Sequence, residues 1–154
     1  MKYFLREDYD ALCNEIIVLC DRIKEIGKEM GASCQEGAET YHDNFAHEDG
    51  TRQQHMWSTR LRDLITIRNE ARVVPNPSTS VEKVSLGNIV TYKEVGSDKE
   101  NRRRISSFMV FVDQENCISY NSPIARILTG GMVGDIREGV VGGKKKKIEI
   151  LKIA

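Results

Sequence analysis

Between residues 35 and 51 the sequence has no lysine and no arginine, in a chain of 154 residues that carries 23 of them. The stretch is acidic instead, with Glu36, Glu39, Asp43, Glu48 and Asp49. Two long helical patterns flank it, which places it at the turn of a hairpin. Carboxylates gathered at the far end of a stiff rod form an acidic probe, able to enter a cavity too narrow for a globular domain.

Other absences narrow the function classes. No segment approaches the apolar length of a membrane span, so no membrane partner is expected. Met1 to Arg6 lacks the apolar run and small-residue cleavage site of a signal peptide, and the expected location is the cytoplasm. None of Cys13, Cys20, Cys34 and Cys117 forms a C-x-x-C pair. They read as reduced thiols rather than a disulfide framework. There is no G-x-S-x-G and no Cys/His nucleophile pair with a placed third partner, which disfavours a stand-alone hydrolase. Gly142-Gly143 lacks the Lys-Ser/Thr and following helix of a phosphate loop and reads as a hairpin turn.

The hydrophobic fraction of 40% supports a core and the 30% of charged residues a solvated surface. The formal net charge is zero, yet residues 1–74 carry 10 Lys+Arg against 14 Asp+Glu and residues 75–154 carry 13 against 9. An acidic half joined to a basic half suggests two separate jobs.

Leu12, Ile16, Leu19, Ile23, Ile26 and Met30 alternate steps of four and three, a heptad seam that predicts a helix packed lengthwise on a partner. The seam fades after Met30. A second helical pattern starts near Asn44 and carries Trp57, Leu61, Leu64 and Ala71, with Asp43 as a candidate N-cap. Two helices joined by a short connection run antiparallel, and about 30 residues make a rod of about 45 Å. The first unit is therefore an antiparallel helical hairpin, a coiled-coil finger, over 1–74. Pro75, Pro77 and the Ser/Thr residues around them mark a linker over 75–80. Beyond it, strands are expected over Gly87–Val95, Arg104–Val112, Cys117–Tyr120 and Lys144–Ile153, with a short helix over Pro123–Leu128 capped by Asn121 or Ser122. The fold class is α+β, with a small antiparallel sheet domain over 81–154.

Ser122-Pro123-Ile124, then Leu128-Thr129-Gly130-Gly131, Gly134-Asp135, Gly142-Gly143 and Ile148-Glu149-Ile150 together resemble the C-terminal domain of the bacterial GreA/GreB transcript cleavage factors. The resemblance runs from about Val84 to Ile153. Gly131 stands where the family has a lysine. In the first half, an ungapped register counted back from Arg60-Leu61 puts Gln53-Gln54 on the family's glutamines. The same register puts Asp43-Asn44 on its Glu-Asn pair and Thr40 on its first tip aspartate. A competing register sets Glu36-Gly37-Ala38-Glu39 on Glu-Asn-Ala-Glu but requires an insertion before Arg60.

The resemblance implies an FKBP-like C-terminal domain that docks at the rim of the secondary channel of bacterial RNA polymerase. Asn121, Ser122, Pro123, Ile124 and Arg126 would lie at the contact. It implies a coiled coil that enters the channel and tip carboxylates, here Asp43 with Glu39, that help hold the second Mg²⁺ of the polymerase active centre. Backtracked RNA is then cleaved by the polymerase. The chain would have no cofactor of its own, would not itself be the enzyme, would meet nascent RNA only indirectly and would act as a monomer. With Thr40 in place of one acid, a relative that occupies the channel without cleavage is the runner-up. An FKBP-like prolyl isomerase is a third reading; it requires an apolar pocket lined by aromatics, of which this half offers Tyr92, Phe108, Phe111 and Tyr120.

Several of these residues also have plainer roles. Asp43 serves equally as an N-cap, and Glu48 and Asp49 as acids at the positive end of a helix dipole. His42, His47 and His55 have spacings that suit no single helical face and read as solvated. Lys144 to Lys147 and Arg102 to Arg104 read as solvated edges, or else as contacts to nucleic acid or to an acidic surface. Trp57 reads as seam packing.

Overall fold

A computed structural model describes residues 1–36, 45–77 and 82–154, with the backbone alone at 32–36 and 45–47. In chain order the elements are β1 (Lys2–Leu5), α1 (Arg6–Glu36), α2 (Phe45–Asn69), β2 (Ala71–Val74), β3 (Ile89–Glu94), β4 (Glu100–Ser106), β5 (Cys117–Ser119), α3 (Pro123–Leu128), β6 (Ile136–Val141) and β7 (Lys144–Ile153). The chain divides into two compact units. One joins Met1–Ala11 to Ala71–Ala154, and the other is Leu12–Glu70.

In the helical unit the heptad seam of α1 is where burial falls: Leu12, Ile16, Leu19 and Ile26 are buried, as is Leu64 of α2. The helices are antiparallel by their contacts. The Arg22 guanidinium lies 4.6 Å from the centre of the Trp57 ring. A methyl group on Gly27 would meet Gln54, and one on Gly50 would meet Met30 and Ile26. Partner numbers fall on one helix as they rise on the other. At Gly50 the missing side chain is what lets α2 approach Met30. Regular α1 extends to Glu36, past the fading of its seam at Met30.

The sheet unit has a five-stranded sheet in the order β5-β4-β3-β7-β6. The sheet is mixed, which corrects the expected antiparallel one. β4 pairs with β5 in parallel, and β1 pairs with β2 in parallel as a separate ribbon, while β3, β6 and β7 pair antiparallel. The cause is the crossing between β4 and β5. Asp113 adopts a positive φ of 51° and its carbonyl accepts from the Asn116 and Cys117 amides, so the loop re-enters beside β4 in the same direction. β4 also ends at Ser106, well before the expected Val112, because Ser106 and Ser107 turn their hydroxyls into a buried cluster. α3 packs Ala125, Ile127 and Leu128 against Val90, Tyr92, Ile105, Ile148 and Ile150, the core of the unit.

β1, β2 and β6 lie outside the expected strands. Met1–Ala11, read from sequence as the start of the hairpin, packs within the sheet unit. Phe4 and Leu5 are fully buried. The Tyr3 amide donates to the Tyr120 hydroxyl (3.2 Å), the Leu5 amide donates to Ser107 Oγ (2.8 Å), and the Tyr3 carbonyl accepts from the Phe108 amide (3.0 Å). Asp8, 1% exposed, accepts from Ser106 Oγ (2.8 Å), Ser107 Oγ (2.6 Å) and the Phe111 amide (3.2 Å). No described helix is long and apolar enough to cross a membrane.

Candidate functional site

The short helix α3 organises one candidate surface. Six residues are too few for a helix to persist by propensity, so its ends are fixed by side chains. Ser122 is the N-cap, its hydroxyl accepting from the Ala125 amide at 3.3 Å, and Pro123 occupies the first turn, where its missing N–H costs nothing. At the other end Thr129 donates to the Ala125 carbonyl (2.7 Å), and Arg137 donates to the carbonyls of Ile127 and Thr129. Around this helix Asn121, Pro123 and Arg126 are exposed and Ser122 and Ile124 are half-buried. The Arg126 guanidinium donates to Asn121 Oδ1 at 3.3 Å, which spans the loop before the helix. The five residues singled out by the family resemblance thus form one contiguous surface.

A cleft of about 740 Å³ adjoins it, lined by Tyr3, Val74, Pro75, Pro77, Ile105 and Tyr120, with Asn121 and Arg126 among its walls. Sequence reading missed this cleft, since its apolar wall comes largely from β1 and from the segment after β2, both remote from α3 along the chain. The aromatics considered for a prolyl-isomerase pocket do not converge there. Tyr120 lines the cleft with Tyr3, their ring centres 6.0 Å apart. Tyr92 is buried in the core and Phe108 packs on Phe4.

Gly131, the departure from the family's lysine, has a local cause. A Cβ there would overlap Ile150 Cδ1 and come within 3.1 Å of the Leu128 carbonyl oxygen. The backbone passes over the core at a point where this chain has no room for a side chain.

The acidic candidates Asp43 and Glu39, with Thr40 and His42, lie outside the described residues. So do the side chains of Glu36 and His47. Of the acids on described α2, Glu48 is exposed. Asp49 accepts from Arg52 Nη2 (2.7 Å) and Gln53 Nε2 (2.7 Å), and these two bonds hold its carboxyl below the usual carboxylate range. Asp49 is therefore engaged within its own helix. His55 is exposed on α2. Trp57 is half-buried beneath Arg22, and its Nε1 has no hydrogen-bond partner among the described residues. Among the described residues no three His, Cys, Asp or Glu gather as a metal cage. Burial pushes the Cys117 thiol up from its ordinary value, which keeps it protonated and unreactive near neutrality.

The chain is thus built from two parts, a small mixed sheet with a capped helix beside an apolar cleft and a long two-helix unit. Comparison with known proteins gives it a family. Residues 78–154 match the family described as "Transcription elongation factor, GreA/GreB, C-term". The chain is 30% identical over 111 residues to the transcription elongation factor GreA of Lactococcus lactis subsp. cremoris (strain MG1363), covering 72% of this chain and 71% of that one. It is 27% identical over 152 residues to GreA of Sulfurovum sp. (strain NBC37-1), covering 97% and 91%. Among solved structures it resembles GreA factor homolog 1 (Gfh1) of Thermus thermophilus, with a TM-score of 0.41 and 21% identity over 99% of this chain and 97% of that one. The chain belongs to the GreA/GreB family of transcription elongation factors.

Proposed function

We infer that this elongation factor docks on bacterial RNA polymerase at the rim of its secondary channel, through the surface formed by Asn121, Ser122, Pro123, Ile124 and Arg126. From there it presents the acidic stretch between α1 and α2 to the active centre and stimulates cleavage of backtracked RNA. The observation that carries this reading is the pair of antiparallel helices, 31 and 25 residues long, whose facing ends and junction, residues 35–51, hold five acids and no Lys or Arg in a member of this family. The polymerase remains the enzyme. When bound there, a second Mg²⁺ supplies an activated water and a steadied leaving oxygen. Such an ion takes hard oxygen ligands and keeps several waters, so one or two borrowed carboxylates are enough. Asp43 is the proposed carboxylate, with Glu39 beside it. This chain's part is to bring that oxygen donor into place and to withdraw it.

The test uses stalled, backtracked elongation complexes with end-labelled RNA. Wild-type protein should shorten the transcript, and Asp43→Asn should slow the shortening at least about tenfold while polymerase binding is kept. Thr40, at the family's first tip acid, favours one other outcome. If neither protein shortens RNA and both bind polymerase, the chain is a channel-occupying regulator without cleavage activity.

A further inference from the structure

The charge asymmetry follows the compact units. The sheet unit carries 16 Lys+Arg against 12 Asp+Glu and the helical unit 7 against 11. The docking surface at α3 accounts for little of the excess. On the opposite, open face of the sheet the strand registers place Thr91 of β3 between Arg102 of β4 and Lys152 of β7, with Arg104 next to Ile89. Two adjoining clefts follow this line. One, of about 170 Å³, is walled by Ile89, Thr91, Arg102 and Lys152, and the other, of about 440 Å³, by Arg102, Arg103, Arg104, Asp113 and Asn116. They share Ile89 and Arg102, so they form one shallow trough across three strands.

Two of the acids near the trough are paired with cations, and a third, Asp113, keeps its charge. Glu149 pairs with Lys93 (3.8 Å), and Glu7 pairs with Arg104. Asp113 accepts from Asn116 Nδ2 (2.8 Å). Arg102 and Lys152 are both exposed, and neither pairs with any described carboxylate. Along the hairpin of β6 and β7, Lys145 and Lys147 are exposed and equally unpaired among the described residues, whereas Lys146 is taken by Glu94 on the other face.

We propose that this trough binds the sugar-phosphate backbone of a single nucleic-acid strand, with Arg102 and Lys152 as its principal phosphate contacts. An acidic protein partner would need an apolar or aromatic anchor seated in a pocket. Besides its charged walls the trough offers Ile89 and Thr91, both half-buried in the ladder, and the small Ala154. No aromatic lines either cleft, so bases have nothing to stack on, and recognition is of the backbone and independent of sequence. Unpaired guanidinium and ammonium groups at the edge of a shallow trough suit phosphates, whose counterions are released on binding.

The experiment is fluorescence anisotropy of a labelled single-stranded RNA, about 12 nucleotides long to span one such groove, with the full-length chain over a salt series. No polymerase is present, so the outcome is independent of the docking and cleavage reading above. The wild type should bind with an affinity that falls with salt. Arg102→Gln with Lys152→Gln should bind at least about tenfold more weakly at low salt, with a log–log salt slope shallower by about 1.4, roughly 0.7 for each phosphate left without its cation. Lys24→Gln with Lys28→Gln, which removes the same charge from α1, should leave binding unchanged. The proposal is overturned if the wild type does not bind at low salt, or if both double variants bind alike. It is equally overturned if poly-glutamate competes as well as unlabelled RNA.

Discussion

Asp8 is a residue whose role no sequence pattern announces. It sits in the first turn of α1, where an acid ordinarily complements the helix dipole from the surface. Here it is 1% exposed and gathers two hydroxyls and one amide from the segment at and after the end of β4. Removing it leaves those donors buried and unsatisfied, each a loss on the order of 1 kcal/mol or more. Asp8→Ala should therefore destabilise the sheet unit by roughly 2–4 kcal/mol in a denaturant melt. That is far more than for Asp10→Ala, since Asp10 pairs at the surface with the exposed Arg6. A loss no greater than that of Asp10→Ala would mean the cluster is not structurally important. Gly131 makes a related point. Sequence shows that a lysine is missing there, but only the packing of Ile150 and the Leu128 carbonyl shows why.

Among the elements, those with strong periodic patterns were legible and those defined by a partner were not. The seam from Leu12 to Met30 identified α1, and Ser122-Pro123 marked the start of α3 to the residue. By contrast, Lys2–Leu5 and Ala71–Val74 are four residues each and become strands only by pairing with one another. β6 was missed because its sequence, Ile-Arg-Glu-Gly-Val-Val, reads as ambiguous until Gly139 is seen to pass against Ile127. The acidic stretch was legible as composition, but Asp43 and Glu39 lie outside the described residues. α3 also exposes a confounding of motif and fold. Ser122 belongs both to the proposed docking surface and to the helix cap. Ser122→Ala should cost about 1 kcal/mol and speed amide exchange in Ala125 and Arg126. Ser122→Asp keeps a cap and should restore exchange protection. Polymerase affinity that returns with aspartate would assign the serine's contribution to helix geometry, and affinity that stays low would assign it to direct contact.

For the molecule as a whole, the boundary that matters is not the one the prolines suggest. Pro75 and Pro77 punctuate the sequence, yet Met1–Ala11 shares a compact unit with the chain beyond them. A fragment spanning 75–154 lacks the strand that buries Phe4 and Leu5, and lacks Asp8 as well. It should melt well below the sheet unit of the intact chain, by roughly 10 °C or more if several kcal/mol are lost, and adding a peptide of residues 1–11 should raise its midpoint. A fragment as stable as the parent unit would show that the first eleven residues are dispensable. The arrangement also has a consequence for biosynthesis. At about 5–20 residues per second, β1, once made, waits on the order of ten seconds for β7, the last strand of its own unit, to be translated. Phe4 and Leu5 lack the cover of Phe108 and the bond to Ser107 until the segment after β4 is made, and in that interval the nascent protein is exposed to chaperones and to misassociation.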